Sequence, residues 1–199
     1  MELGEAIRGR RMVRAFTDAR VDRDLVDHLC DLARRAPSAG NAQATEFLVL
    51  QDPVAIERYW DVTLAPPRRA GFAWPGLIAA PVLVVVGVRP QAYVDRYAED
   101  DKATTGLGAG LDAWPVPYWW VDAGAAAEHL LLTAVDAGLG ACLFGSFEHE
   151  AAVAATFGVP DGWRLVATVA LGHPAPDVAG RSATRARRPL AEVVHRERW

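Results

Sequence analysis

The chain has 199 residues and a mass of 21.5 kDa, which suits one globular domain spanning residues 1–199. Its net charge of −4 argues against nucleic-acid binding, and its five histidines and two cysteines match no zinc-ligand spacing, so we expect no metal site and two buried thiols. No apolar stretch approaches the roughly 20 residues of a membrane helix, and the amino terminus lacks a secretion signal. We therefore expect a cytoplasmic protein with no membrane partner.

The first half of the chain predicts helices and strands in alternation. Residues 22–36 carry apolar side chains at helical spacing and stop before Pro37. Residues 46–51 form a short apolar run that predicts a strand, and a helix is expected directly after Pro53. Residues 81–88 are β-branched and continuously apolar, which is typical of a central strand, and a surface helix is expected over 90–101.

Residues 104–120 are rich in glycine, proline and aromatic side chains, which predicts a loop or a lid rather than a regular helix. Two interpretations of the aromatic residues Trp114, Tyr118, Trp119 and Trp120 stay open. They pack in a dimer interface, where such side chains are enriched, or they cover a ligand pocket.

The second half begins with an almost wholly apolar helix predicted from Asp122 to about Gly138. A short strand at 141–144, a helix at 148–157 and a strand at 163–172 follow. Four strands alternating with helices indicate a layered α+β or α/β domain. After a basic, polar stretch, apolar residues near 190–194 are expected to dock on the domain again.

Arginines cluster at the two ends of the chain, at positions 10, 11 and 14 and again at 181, 185, 187 and 188. A guanidinium group binds phosphate through two parallel hydrogen bonds, so such clusters suit an anionic ligand. The alternative is a basic helix end exposed to solvent. Two clusters favour the first interpretation, since one phosphate could be held from both ends of the chain.

Small and polar residues follow the first long helix in the segment APSAGNAQ at 36–43. Ser38, Asn41 and Gln43 supply hydrogen-bonding groups suited to a planar heterocycle or its sugar-like chain, although turn residues after a helix have the same composition. No GxSxG surrounds Ser38, so it is not a hydrolase nucleophile. The glycines at 106–110 and 138–140 miss GxGxxG, so no Rossmann domain is predicted.

Four segments, in this order, resemble the FMN-dependent nitroreductase family: RRMVRAF at 10–16, ARRAPSAGNAQ at 33–43, AAAEHLLLTAVDAGLGACLFGSF at 125–147 and VALGHP at 169–174. The basic cluster near the carboxyl terminus completes the likeness. It implies a nitroreductase-like three-layer α/β/α domain with a central, mostly antiparallel sheet in a domain-intertwined homodimer. It also implies that FMN is the cofactor.

The resemblance also implies where the flavin is held. The first arginines would meet its phosphate and ribityl chain, as would the late basic pair, for which Arg188 competes with Arg185. The PSxxN segment would reach the flavin of the other subunit, and the residues after the long helix would lie against the ring, with a backbone amide near N5. The residues implied are Arg10, Arg11, Arg14, Pro37, Ser38, Ala39, Asn41, Leu143, Phe144, Gly145, Arg185 and Arg187.

The sequence departs from the family pattern at two places near the implied flavin site. Met12 stands where the family usually carries serine, which removes a hydroxyl near the phosphate or ribityl chain. Ala44 and Thr45 replace the proline and aromatic residue that often follow the glutamine. Neither change removes a charge that would hold the phosphate.

The implied activity is an FMN-dependent NAD(P)H oxidoreductase. NADH or NADPH would pass a hydride to flavin N5 and leave, and a small planar electron acceptor such as a nitroaromatic or quinone would then be reduced in the same pocket. We assign no catalytic side chain, because the flavin carries the chemistry. Two alternatives stay open: a flavin oxidase or dehydrogenase for a dedicated metabolite, and a protein that sequesters a flavin or deazaflavin.

Overall fold

A computed structural model describes residues 1–176, 180 and 184–199 of the chain. Within these ranges the backbone forms eight helices and four strands. In chain order they are α1 (Leu3–Gly9), α2 (Arg23–Ala33), β1 (Thr45–Leu50), α3 (Pro53–Thr63), α4 (Pro66–Arg69), α5 (Pro75–Ile78), β2 (Val82–Val88), α6 (Gln91–Tyr97), α7 (Tyr118–Asp136), β3 (Gly140–Phe144), α8 (Glu150–Phe157) and β4 (Arg164–Gly172). None of the helices in the described ranges has the length and apolarity needed to cross a membrane.

The four strands form one sheet in the order β1-β2-β4-β3, and each neighbouring pair is antiparallel. Val86 of β2 lies opposite Phe47 of β1 and Ala167 of β4, and the register with β4 shifts between Val86 and Gly87, where Val166 of β4 has no partner on β2. All seven residues of β2 are buried, because the strand is central and covered on both faces. The central strand predicted from its continuous apolar run is thereby confirmed.

Successive side chains of β2 enter two different cores. Val82, Val84 and Val86 pack in the core beneath α2 and α7, whereas Leu83 and Val85 pack in the core on the α3 and α8 side. Fully burying such a side chain stabilises the fold by roughly 1.5–3 kcal/mol. The layers are therefore helix, antiparallel sheet and helix, as the predicted three-layer α/β/α fold requires.

Capping residues define where the helices begin. Asp22 accepts a hydrogen bond from the Asp24 backbone N–H at 3.0 Å, and Asp52 accepts one from the Val54 N–H at 2.9 Å, with Pro53 in the first helical position. These contacts satisfy amide groups that a helix start leaves unpaired. The predicted helix over 22–36 is confirmed but ends at Ala33, three residues earlier than expected.

The prediction of a loop over 104–120 is wrong at its end, because α7 begins at Tyr118. Pro117 stands at the helix start, where a missing N–H costs nothing, and Trp119 is buried there against Tyr93. The preceding residues form three short 3₁₀ turns, at Ala103–Thr105, Leu107–Ala109 and Leu111–Ala113.

The predicted docking of residues 190–194 on the domain is also wrong for this chain. Leu190–Glu192 forms a single 3₁₀ turn, and Leu190 is 74% exposed. Val193 and Val194 are exposed as well, at 48% and 44%. The contacts of this segment are local, such as Arg188 Nη2 donating to the Glu192 carbonyl at 2.7 Å.

Candidate functional site

The first arginine cluster follows α1 and runs beside β3. Met12 forms a parallel bridge with Ala141, and the Val13 N–H donates to the Ala141 carbonyl at 2.9 Å. This pairing places the arginines at the edge of the sheet where β3 lies. Arg10 forms a 3.2 Å ion pair with Glu128 of α7, and Arg11 is exposed.

The Arg14 side chain lines a cavity of about 290 Å³ at the end of β3, called here the aromatic cavity. Its guanidinium lies 5.3 Å from the centroid of the Trp74 ring, and Nη1 donates to the Met12 carbonyl at 3.3 Å. The cavity is lined by Arg14, Tyr59, Trp60, Thr63, Leu64, Phe72, Trp74, Leu77, Cys142, Leu143, Phe144, Gly145, Ser146 and His149. Arg14 and the predicted triplet 143–145 are thus brought together.

The wall of the aromatic cavity consists of rings packed against one another. The Trp60 and Phe144 rings are stacked with centroids 5.8 Å apart, and Tyr59 meets both edge-on. The Tyr59 hydroxyl lies 2.8 Å from Thr168 Oγ1, and burial raises the pKa of this phenol above its ordinary value. Of these rings, Phe144 was predicted from the sequence, whereas Tyr59 and Trp60 were missed. The adjacent Tyr59 and Trp60 on one helix were the available signal, although such a pair is also typical of a core.

Two buried polar atoms among the cavity residues have no hydrogen-bond partner in the described part of the chain: Trp60 Nε1 and Ser146 Oγ. The Ser146 hydroxyl approaches that of Tyr59 without reaching hydrogen-bond geometry. Buried polar groups are nearly always paired in folded proteins. An unpaired hydroxyl next to Gly145 therefore points to a ligand with polar atoms, so the residues present fit a heterocycle such as FMN.

The second group of predicted residues forms a tight turn over 37–43. Gly40, Asn41 and Gln43 have φ of 61°, 57° and 48°, the left-handed region that favours glycine. Two contacts from helices hold its backbone: Asp122 Oδ2 accepts from the Ala39 N–H at 2.8 Å, and Arg96 Nε donates to the Gly40 carbonyl at 2.8 Å.

Within the turn, Ser38 Oγ accepts a hydrogen bond from the Gln43 N–H at 3.0 Å. Pro37 and Ser38 also line a small cavity of about 90 Å³ together with Asp122. Ala39 and Ala42 pack against the core beneath α2 and α7, on the opposite face of the sheet from the core that holds Tyr59 and Trp60. The turn and the aromatic cavity share no lining residue, so one chain does not bring the two groups together.

The described basic residues near the carboxyl terminus lie apart from the aromatic cavity and from the turn over 37–43. Arg185 and Arg187 are exposed and line neither the aromatic cavity nor the small one, and Arg181 lies outside the described residues. The start of this tail nevertheless returns to the first cluster. The Ala175 N–H donates to the Ala15 carbonyl at 2.9 Å, and a Cβ on Gly180 would lie 3.1 Å from Arg14 Nη1.

The aromatic residues of segment 104–120 lie away from the aromatic cavity of their own chain. Trp114 and Trp119 are buried near Tyr93, and Trp114 Nε1 donates to the Leu107 carbonyl at 3.0 Å. Tyr118 is 45% exposed and Trp120 is 36% exposed. Two of the four predicted cover residues therefore belong to the core, and the other two lie at the surface.

A wider groove of about 630 Å³ lies between the start of α2 and α3. Its charged residues carry both signs, as in Arg20, Arg23 and Glu57, and none of the described residues that line it is aromatic. Neither a planar apolar surface nor a single sign of charge is offered there. The aromatic cavity is the better candidate for a ring-shaped ligand.

Comparison with known proteins adds independent findings. Residues 7–173 match the Nitroreductase family. A protein of Archaeoglobus fulgidus, provisionally named NADH dehydrogenase/NAD(P)H nitroreductase, is 25% identical over 96% of this chain and 94% of its own. A 4-nitrobenzoate reductase of Nocardioides sp. is 28% identical over 84% of this chain and 78% of its own. A protein of Exiguobacterium sibiricum, crystallised in complex with FMN, has a similar structure with a TM-score of 0.77 and 20% identity, covering 99% of this chain and 98% of its own.

Proposed function

This chain belongs to the nitroreductase family, and we propose that it is an FMN-dependent oxidoreductase formed by one domain over residues 1–199. Its electron donor would be NADH or NADPH, in keeping with the name of the Archaeoglobus relative. Its acceptor would be a small planar electron-poor compound such as a nitroaromatic or a quinone, in keeping with the name of the Nocardioides relative.

The observation that carries the proposal is the aromatic cavity. It combines a guanidinium, Arg14, with stacked rings and an unpaired hydroxyl, Ser146, beside the backbone of Gly145. A flavin ring needs such surroundings, because its faces are apolar and its edge carries hydrogen-bonding atoms. The FMN-bound Exiguobacterium protein supports the choice of ligand.

The flavin ring and the phosphate would be bound by different residues. Leu143, Phe144 and Gly145 would lie along the ring, and Arg14 would place a positive charge beside it, which favours an anionic ligand. Phosphate and ribityl contacts would come from Arg10, Arg11, Arg185 and Arg187. The last three are exposed and can turn toward an incoming phosphate, whereas Arg10 would exchange its ion pair with Glu128 for that contact.

A second copy of the chain would complete the site. The turn over 37–43 lies on the other face of its own sheet, so Pro37, Ser38, Ala39 and Asn41 would reach the flavin of the partner rather than their own. The exposed side chains Tyr118 and Trp120 would be covered in the same homodimer. A monomer would then hold only part of the cofactor site.

Bound FMN would supply the two-electron chemistry, accepting a hydride from the nicotinamide and passing electrons to the acceptor. The residues of this chain would bind and orient the ring and exclude water from it. Tyr59, Trp60 and Phe144 form the apolar wall that excludes water, and Arg14 fixes the charge beside the ring. No side chain is assigned as a proton donor or acceptor.

An absorbance spectrum of the purified protein, before and after anaerobic addition of NADH or NADPH, tests the proposal. Flavin bands that bleach with either donor would support it and would identify the donor. A colourless protein that does not take up added FMN would contradict it.

The same spectrum separates the two other functions considered. FMN that binds but stays oxidised in excess NADH and NADPH would indicate a protein that sequesters the flavin. Rapid bleaching followed by no turnover with nitroaromatics or quinones would indicate a dedicated metabolite as the second substrate. Ping-pong kinetics, with parallel double-reciprocal lines, would support use of one pocket by both substrates.

A further inference from the structure

Asp122 is a buried carboxylate on the first half of α7, with 7% of its surface exposed. Its Oδ2 accepts a hydrogen bond from the Ala39 N–H at 2.8 Å and another from the Tyr93 hydroxyl at 2.9 Å. Both donors are neutral, and no cation among the described residues forms an ion pair with this carboxylate.

Burying a carboxylate without an opposite charge destabilises a fold unless hydrogen bonds offset the lost hydration. An apolar side chain would fill the same space at lower cost. The carboxylate is therefore explained by the two groups that donate hydrogen bonds to it, the Tyr93 hydroxyl and the backbone of the turn over 37–43.

That turn is conformationally demanding. Gly40, Asn41 and Gln43 have positive φ, and side chains other than glycine adopt this region only when the surroundings hold them there. The two side chains that bond its backbone differ in their surroundings. Arg96 also donates to Asp101 and Glu99 at the surface, whereas Asp122 is buried and contacts the turn from the core.

We infer that Asp122 is a positioning residue: its hydrogen bond from the Ala39 N–H fixes the turn in the shape that it presents to the flavin of the partner subunit. The inference rests on the proposed function, because the turn contacts FMN only if the two copies share the site. It adds a residue that the resemblance to the family did not supply.

Tyr93 provides a control within the same network. Its hydroxyl donates to the same Oδ2 but does not contact the turn, and its ring packs edge-on against Trp114 and Trp119. Burial, reinforced by Asp122, raises the pKa of this phenol above its ordinary value, so it stays a donor. Tyr93→Phe removes one hydrogen bond from the carboxylate while leaving the bond to Ala39.

The test measures FMN affinity by quenching of flavin fluorescence, melting temperature, and hydrogen exchange of the peptide containing residues 37–43. Asp122→Ala is expected to weaken FMN binding at least about tenfold and to speed exchange in the turn. Asp122→Asn is expected to restore both, because its side-chain carbonyl can accept both hydrogen bonds. Tyr93→Phe is expected to lower the melting temperature yet keep FMN affinity within about threefold of the wild type.

Unchanged FMN affinity and exchange in Asp122→Ala would overturn the inference. A loss of FMN affinity in Tyr93→Phe as large as that in Asp122→Ala would also overturn it, since the hydrogen bonds of Asp122 would then affect only the stability of the fold. If Asp122→Ala does not fold, Asp122→Leu fills the same buried space without an acceptor for the Ala39 N–H; unchanged affinity and exchange in that variant contradict the inference. A wild-type protein that binds no FMN overturns the proposed function, while the exchange data still decide whether Asp122 holds the turn.

Discussion

The aromatic cavity and the turn over 37–43 lie on opposite faces of one sheet and are built differently. The cavity is wide, apolar and unfinished, because Trp60 Nε1 and Ser146 Oγ are buried there without partners. The turn is compact and complete, since its backbone is bonded to Asp122, Arg96 and its own Ser38. A ring-shaped ligand would therefore fill the cavity, whereas the turn is a finished surface that a ligand of another copy could meet.

Removing one charge from each of the two arginine clusters is expected to have the largest effect. Arg10→Ala combined with Arg187→Ala should weaken FMN binding by roughly two to four powers of ten, because each hydrogen bond to a charged group contributes about 1.5–3 kcal/mol. Equilibrium dialysis of the cofactor measures the change. Arg20→Ala with Arg23→Ala, an equal charge loss in the wider groove, is the matched control. Full FMN occupancy in the first double variant would refute this placement of the phosphate.

A change in the turn should have a smaller effect, and one of a different kind. In Gly40→Ala a Cβ would lie 2.7 Å from the Tyr97 ring in a residue with φ of 61°. The left-handed backbone alone costs about 1–2 kcal/mol, and the contact with Tyr97 adds to it. We expect a loss of unfolding free energy together with weaker FMN binding.

Gly158→Ala separates the two contributions to that change. Gly158 has φ of 65° but open space around its Cβ position, and it follows α8 far along the chain from the turn. Urea unfolding should show the backbone cost in both variants, and only Gly40→Ala should lose FMN. Equal FMN affinity in the two variants would show that the turn does not contact the cofactor.

The wall of the cavity should tolerate the loss of one hydroxyl. Tyr59→Phe removes the buried hydrogen bond with Thr168, which should lower the unfolding free energy by about 1 kcal/mol. The ring packing with Trp60 and Phe144 is kept, so FMN affinity should stay near that of the wild type. A large loss of affinity with little loss of stability would instead place the Tyr59 hydroxyl in direct contact with the ligand.

The smallest expected effect is on the reactivity of the Cys30 thiol, which lies on α2, the helix before the turn. Burial, with a contribution from Asp27, raises the pKa of this thiol to about 11. A raised pKa lowers the thiolate fraction at a given pH, so alkylation of Cys30 in a Cys142→Ala variant should be slow at pH 8 and should rise toward a midpoint near that pKa. A midpoint near 9, the ordinary pKa of a thiol, would show that Cys30 is more exposed to solvent than the structure indicates.

The elements with strong periodicity could be predicted from the sequence. The buried run of β2 and the apolar face of α2 follow from local patterns, and the structure confirms both. The start of α7 could not be placed, because Pro117 and three aromatic residues have the composition of a loop until tertiary packing buries Trp119 against Tyr93.

The candidate site divides in the same way. The arginine clusters and the 37–43 segment carry charge or small residues that stand out in the sequence. Of the cavity wall, only Arg14 and residues 143–145 were predicted. The side chains of Trp60, Phe72 and Trp74 were missed, since they come together only through the packing of separate elements. Asp122 was seen only as the start of a helix, because nothing local shows that its partner is the Ala39 backbone, 83 residues away.

Subunit complementation tests most directly whether the two regions form one site across two copies. One chain carries Arg14→Ala in the cavity together with Arg10→Ala in the same arginine cluster, and the other carries Gly40→Ala in the turn. The pair is co-expressed with different tags and purified through both. Each homodimer should bind FMN more weakly than the wild type, whereas the mixed dimer should bind about one FMN per two chains with wild-type affinity, because one of its two sites pairs an intact cavity with an intact turn. A mixed dimer with no more FMN than the two homodimers would contradict a site shared between subunits.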